Sequence, residues 1–115
     1  MIVIMNQGAG KSGSGQESPE TRIAELFTAL GEKPRIVQPK QGEDISSLAL
    51  EAAASDEKTI VAAGGDGTVS GVAGELAGTD KILGVLPIGT LNHFAKDLGI
   101  PLELEAAVRN VVQGR

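Results

Sequence analysis

The sequence contains no cysteine, tryptophan or tyrosine, and only two phenylalanines. Without cysteine, this chain can form neither disulfide bonds nor thiolate metal sites. With so few aromatic rings, a bound purine would have to be held mainly by aliphatic side chains and backbone. The chain also lacks an apolar stretch of the ~18 residues that a membrane-spanning helix needs. Met1 leads directly into an apolar run, without the features of a signal peptide, so we expect a cytoplasmic protein.

Positive charge is scarce as well, since 10 Lys and Arg stand against 15 Asp and Glu, for a net charge of −5. A nucleic-acid-binding surface normally needs clustered Lys and Arg, so we expect no nucleic-acid partner. Glycine is abundant, with 16 among 115 residues, which predicts several tight loops where backbone approaches another group closely. The length and the 41% hydrophobic content predict one globular domain over residues 1–115.

Short apolar runs alternate with amphipathic segments along the whole chain. The predicted strands are Ile2–Met5, Arg35–Val37, 59–63 and 82–86. Five helices are predicted. The first begins at Ser18-Pro19-Glu20 and ends at Gly31, and the second covers residues 44–54. The third has Val69, Val72, Ala73 and Leu76 on its apolar side, the fourth covers residues 92–98, and the fifth follows Pro101. Apolar strands that alternate with helices are typical of the α/β class, here a parallel sheet with helices on both faces.

Ligands of open parallel sheets bind at the carboxyl ends of the strands, in the loops that lead into helices. Three unusual loops lie at such positions, at residues 6–10, 64–68 and 88–92. Since the carboxyl ends of parallel strands share one edge, we expect these loops to form one site.

The central loop reads Gly64-Gly65-Asp66-Gly67-Thr68. Three glycines leave backbone N–H groups bare, and the positive end of the following helix favours phosphate, so Gly64, Gly65 and Gly67 are predicted to bind the phosphates of a nucleotide. Asp66 repels phosphate, and its role would be to hold Mg²⁺ or to accept a proton from an attacking hydroxyl. Thr68 could donate its hydroxyl to a phosphate oxygen or cap the helix. The alternative is an ordinary tight turn in which Asp66 is a local cap.

The two outer loops add neutral hydrogen-bonding groups. Asn6 ends the first strand and is a candidate for a hydrogen bond to the nucleotide. Gly89 permits a sharp turn, and Thr90 and Asn92 offer hydrogen bonds at the same edge of the sheet. His93, the only histidine, is either a residue of the cleft or an ordinary residue near a helix start.

Gly10-Lys11-Ser12 resembles the end of a Walker phosphate loop. That pattern needs another glycine where Met5 stands, and no helix is predicted to begin at Ser12. We therefore reject the Walker interpretation. Lys11 remains either a contact to phosphate or an ordinary loop residue.

Taken together and in this order, the three loops resemble the catalytic domain of the diacylglycerol kinase family, which includes bacterial lipid kinases and sphingosine kinases. The resemblance covers essentially the whole chain. It rests on Asn6-Gln7-Gly8-Ala9-Gly10, on the intact motif at 64–68, on residues 87–95 and on Leu98-Gly99-Ile100-Pro101. The central motif also occurs in NAD kinases and, varied, in phosphofructokinases, so the resemblance implies an N-terminal domain of that fold.

The resemblance implies a parent enzyme that transfers the γ-phosphoryl group of ATP, with Mg²⁺, to the hydroxyl of a diacylglycerol-like lipid. Asp66 would be its catalytic and metal-binding residue. The implied partners are the nucleotide and the lipid, with transient contact to a membrane surface. Family members continue into a β-sandwich domain that this chain does not contain, so we expect the fragment alone to be inactive. The face left without that domain would favour a homo-oligomer.

Several positions depart from the family pattern. Gln7 replaces a proline, Ser70-Gly71 replaces Asn-Glu, and His93 replaces an aspartate. A threonine that follows the second strand in the family has no clear counterpart near residues 38–41. The missing carboxylates favour a second hypothesis, a non-catalytic nucleotide-binding or regulatory module. A third hypothesis is an NAD-kinase-like enzyme.

Overall fold

The computed structural model describes residues 1–6, 19–40, 43–87 and 104–113. Within these ranges four strands form a parallel sheet in the order β2-β1-β3-β4. The strands are β1 (Ile2–Met5), β2 (Arg35–Val37), β3 (Thr59–Gly64) and β4 (Ile82–Pro87). The helices are α1 (Pro19–Ala29), α2 (Ile45–Ala53), α3 (Asp66–Leu76) and α4 (Leu104–Gln113). The predicted α/β class and parallel sheet are confirmed.

The chain changes direction across the sheet between β1 and β3. From β1 it passes through α1 to β2 on one side, and from β3 it passes through α3 to β4 on the other. The pairing of β1 with β3 runs from Ile2 opposite Ile60 to Met5 opposite Ala63. The two strands therefore end side by side at a topological switch point, which is where open parallel sheets bind their ligands.

Helices cover both faces of the sheet, because alternate strand residues point to opposite sides. One layer packs α2 and α3 on the strands and includes Ile4, Ile60, Leu48 and Val72. The other packs α1 and α4 and includes Val3, Met5, Val61, Phe27 and Val108. Burial on both faces explains why β1 and β3 are apolar at nearly every position.

Helix α1 ends as its sequence predicts, since Gly31 has a φ of +85°, the left-handed conformation that glycine adopts readily. Ile23 and Phe27 are fully buried in its core face. Leu30, seven residues after Ile23 and so on the same side by helical spacing, is 38% exposed. The helix stops at Ala29, so Leu30 no longer follows the helical period that buries Ile23 and Phe27.

The observed boundaries change how the central motif is understood. β3 and β4 each extend one residue beyond the prediction, and α3 already begins at Asp66. The predicted loop at residues 64–68 is therefore the last residue of a strand followed directly by the first turn of a helix. The short helix predicted over residues 92–98 lies outside the described residues. No helix in the described part of the chain is long and apolar enough to cross a bilayer.

Helix α2 begins at the same edge of the sheet as the switch point. Its N-cap is Asp44, whose carboxylate accepts a hydrogen bond of 2.9 Å from the backbone N–H of Ser47. That hydrogen bond holds the pKa of Asp44 below its ordinary value. A cap of this kind satisfies one N–H group of the first helical turn and favours the direction in which the chain enters the helix.

The Asp44→Ala variant is expected to unfold a few degrees below the wild type at neutral pH, since it lacks this cap. Because the folded-state pKa is lowered, the charged cap stabilises above the unfolded-state pKa, and this contribution disappears as pH falls through the folded pKa. The difference in unfolding midpoint between the two proteins should therefore shrink below about pH 4. Asp44→Asn is the matched control, because asparagine caps without titrating. A pH-independent loss in Asp44→Ala would contradict the prediction.

Candidate phosphate-binding site

The glycine motif lies at the switch point, where β3 passes into α3. Gly64 is the last residue of β3, and Gly65 is the N-cap of α3, with extended backbone angles of φ −88° and ψ −168°. Asp66 is the first residue of the helix. The direct passage from strand to helix aims the N-terminus of α3 at the edge where ligands of such sheets bind.

The first turn of α3 has donors without intrahelical acceptors. The first backbone hydrogen bond of the helix runs from the N–H of Val69 to the carbonyl oxygen of Gly65, at 3.1 Å. The N–H groups of Gly67 and Thr68 precede it, and the N-cap residue makes no side-chain capping bond. The N-cap position belongs to Gly65, and Asp66 follows it as the first residue of the helix. An anion would be favoured here by both the donors and the helix dipole.

The five residues of the motif divide into buried ends and an accessible centre. Gly64 and Thr68 are buried, Gly65 and Asp66 are half-buried, and Gly67 is exposed. A Cβ atom built on Gly67 would have no heavy atom of the described structure within 4 Å. A ligand can therefore reach the backbone at the centre of the motif, while its two ends are enclosed by the protein.

Gly64 has no room for a side chain. A Cβ atom built on it would lie 2.7 Å from Oγ1 of Thr68, 2.8 Å from Cβ of Thr68 and 3.1 Å from the backbone oxygen of Asn6. Asn6 in turn donates its backbone N–H to the carbonyl oxygen of Ala63, at 3.0 Å. The ends of β1 and β3 and the start of α3 thus meet at Gly64, which places Asn6 beside the glycine motif as the sequence suggested.

The second strand also contributes polar groups to this edge. Beyond the end of β2, the side-chain amide of Gln38 donates to Oε1 of Glu20 in the first turn of α1, at 2.7 Å. The backbone N–H of Lys40 donates to Oε1 of Glu43 at 2.9 Å, just before α2. The three helices that follow β1, β2 and β3 therefore all begin along one edge.

Several predicted site residues cannot be placed. Gly89, Thr90 and Asn92 lie outside the described residues, as do His93 and Lys11. The nearest described position is Pro87 at the end of β4, which is paired in register with Gly64. The chain therefore enters the third motif directly beside the glycine motif.

The described ranges contain no group of three or more His, Asp or Glu side chains that could hold a metal ion. Asp66 is the one acidic residue in the first turn of α3. Mg²⁺ in phosphate-transfer sites is commonly bound through one or two carboxylates together with phosphate oxygens. The donor set thus fits Mg²⁺ that arrives with a nucleotide, and it does not form a separate metal cage.

One feature of the site region was missed by the sequence analysis. In sequence Gly71 departs from a family glutamate, and in the structure it lies against α2, where a Cβ built on it would be 3.1 Å from Cγ2 of Ile45. The small residue lets α2 and α3 approach closely. Only the absence of a side chain at position 71 could have indicated this contact, and its partner is far away in sequence.

The open parallel sheet and its switch point place the chain among the α/β domains that bind ligands where β1 and β3 end. A family model described as "Diacylglycerol kinase catalytic domain" matches residues 1–115. The chain therefore belongs to the diacylglycerol kinase catalytic domain family, as the three motifs suggested.

Curated relatives and solved structures agree with this assignment. The chain is 46% identical over 107 residues to "Diacylglycerol kinase" of Bacillus subtilis, an alignment that covers 88% of this chain and 35% of that protein. It is 43% identical over 107 residues to "Probable lipid kinase YegS-like" of Klebsiella pneumoniae, covering 90% of this chain and 36% of the relative.

Among solved structures, a diacylglycerol kinase from Bacillus anthracis superposes with a TM-score of 0.74 at 28% identity, covering 99% of this chain and 39% of that one. The fold of this chain is thus the fold of one part of that kinase. The chain spans little more than a third of the length of these proteins.

Proposed function

We propose that this chain is the nucleotide-binding domain of an ATP-dependent lipid kinase, which transfers the γ-phosphoryl group of ATP to the hydroxyl of a diacylglycerol-like lipid. Membership of the family and the names of the relatives support the reaction class. The observation that carries the proposal is the N-terminus of α3 at the switch point, where the N-cap is a glycine and the next glycine, Gly67, is exposed to solvent.

In this proposal the backbone performs most of the binding. The N–H groups at the centre of the glycine motif donate to phosphate oxygens, and the positive end of α3 offsets part of their charge. Asn6, Gly89, Thr90 and Asn92 contribute hydrogen bonds along the same edge. Transfer of a phosphoryl group depends mainly on positioning and on charge stabilisation, so a rigid cradle of backbone donors suits the reaction.

Asp66 provides the carboxylate of the site. Mg²⁺, bound with the nucleotide, would neutralise phosphate charge, and the Asp66 carboxylate would hold the ion or accept the proton of the attacking hydroxyl. Its position in the first turn of α3 puts this carboxylate next to the proposed phosphate donors. We further propose that the kinase works in the cytoplasm and touches the membrane surface only while it takes up lipid.

Titration calorimetry of the chain with ATP, with and without Mg²⁺, tests the binding role. Saturable binding at a stoichiometry near one is expected. A well-folded chain that binds no ATP would contradict the proposal. The chain alone is expected not to phosphorylate diacylglycerol in mixed micelles. In the kinase that contains this domain, transfer to NAD in preference to the lipid would favour the NAD-kinase-like alternative.

A further inference from the structure

The contact between Thr68 and Gly64 joins the two ends of the glycine motif. Thr68 lies four residues after Gly64, and helix side chains lean toward the turn that precedes them. The Thr68 side chain therefore covers the Cα of Gly64, which is why a Cβ at position 64 would fall 2.7 Å from Oγ1 and 2.8 Å from Cβ of Thr68. The β-branched side chain of threonine has few accessible rotamers, so Thr68 cannot easily rotate away from Gly64.

The burial of Thr68 separates it from the accessible part of the motif. The residue is only 7% exposed, whereas Gly67 beside it is open to solvent. On its other side Gly64 faces the backbone oxygen of Asn6, 3.1 Å from the built Cβ. Gly64 is thus held between Asn6 at the end of β1 and Thr68 in the first turn of α3. A change in size at Thr68 would therefore shift the backbone that leads from Gly64 into Gly65 and Gly67.

We infer that Thr68 is a positioning residue, which sets the shape of the phosphate cradle by packing on Gly64 rather than by offering its hydroxyl to the ligand. This inference rests on the proposed function for its effect on ATP, but the packing itself is independent of any ligand. It predicts that the two positions are coupled, so that a larger residue at 64 is tolerated when residue 68 is smaller.

A double-mutant cycle tests the coupling. Gly64→Ala, Thr68→Gly and the combined variant are compared with the wild type for their thermal unfolding midpoint and for the Kd of ATP·Mg²⁺. Glycine is used at position 68 because alanine would keep the Cβ that lies 2.8 Å from the Cβ built on Gly64. Gly64→Ala is expected to weaken ATP binding by at least about tenfold, because its methyl group displaces Thr68. In the combined variant Thr68→Gly removes both the Oγ1 and the Cβ that the methyl group would meet, so ATP should bind roughly tenfold tighter than to Gly64→Ala alone. Glycine at position 68 itself weakens α3, so the loss of unfolding midpoint in the combined variant should be smaller than the sum of the losses in the two single variants.

A second variant isolates the hydroxyl. Thr68→Val keeps the branched shape without the hydroxyl, and its Kd for ATP is expected to stay within about threefold of the wild type. Loss of a hydrogen bond to a charged phosphate would instead weaken binding by at least about tenfold.

Three results would overturn the inference. The first is a loss of midpoint in the combined variant that is smaller than the sum of the two single losses, without recovery of ATP binding. The second is additive losses of the midpoint in the two single variants. The third is a tenfold weaker Kd in a Thr68→Val protein whose midpoint is unchanged. If the wild type binds no ATP, the proposed function fails, and the midpoints of the cycle still decide whether Thr68 positions Gly64.

Discussion

The Gly67→Ala variant is expected to be more stable than the wild type and to bind ATP more weakly. Gly67 lies in the first turn of α3 with a helical backbone, and its Cβ would meet no described atom within 4 Å. Alanine should therefore stabilise the helix by about 0.5–1 kcal/mol. The same methyl group would occupy the space through which phosphate approaches the backbone, and the Kd should rise by at least about tenfold.

Gly74→Ala provides the matched control for this prediction. Gly74 lies in the same helix, is exposed, and also leaves room for a Cβ in the described structure. It stands two turns further from the N-terminus, so its substitution should raise stability similarly and leave ATP binding unchanged. Calorimetric titration with ATP and thermal unfolding measure the two effects separately. Equal affinities of the two variants for ATP would place the phosphates away from Gly67.

The Asp66→Asn variant is expected to lose the dependence of ATP binding on Mg²⁺. Without Mg²⁺, the Asp66 carboxylate repels the triphosphate, so its neutralisation should tighten the binding of metal-free ATP by roughly tenfold. In the wild type Mg²⁺ is expected to raise the affinity for ATP. The variant lacks the carboxylate that would bind the ion, so this increase in affinity should disappear. Titrations at several Mg²⁺ concentrations measure both changes.

Asp80→Asn is the control for net charge. Asp80 is exposed and lies two residues before the start of β4, so it lies at the opposite edge of the parallel sheet from the glycine motif. Its neutralisation changes the charge of the chain by the same amount but should leave ATP binding nearly unaltered, because screening by salt is strong over such a distance. If Asp66→Asn and Asp80→Asn behave alike at every Mg²⁺ concentration, Asp66 does not act on metal or phosphate.

Most of the fold could be predicted because the signals are local. Strands form at the apolar run Ile2–Met5 and at Arg35–Val37, where two of the three residues are β-branched. Gly31 and Asp44 mark helix ends by their own backbone and hydrogen-bonding preferences. In α4 the buried residues Val108 and Val111 lie three positions apart, which is a helical spacing, and Val112 beside them is half-buried. The boundary between β3 and α3 was harder to place, because glycine has little preference for either conformation.

The sequence by itself determined the class of the fold, the identity of the family and the position of the glycine motif after β3, since each depends on residue types at short spacing. Only the tertiary structure decided which parts of that motif are accessible. The pairing of β1 with β3 brings the backbone of Asn6 onto Gly64, and the first turn of α3 folds Thr68 over the other side. These contacts join residues that are distant in the chain or one helical turn apart, and no local preference encodes their packing.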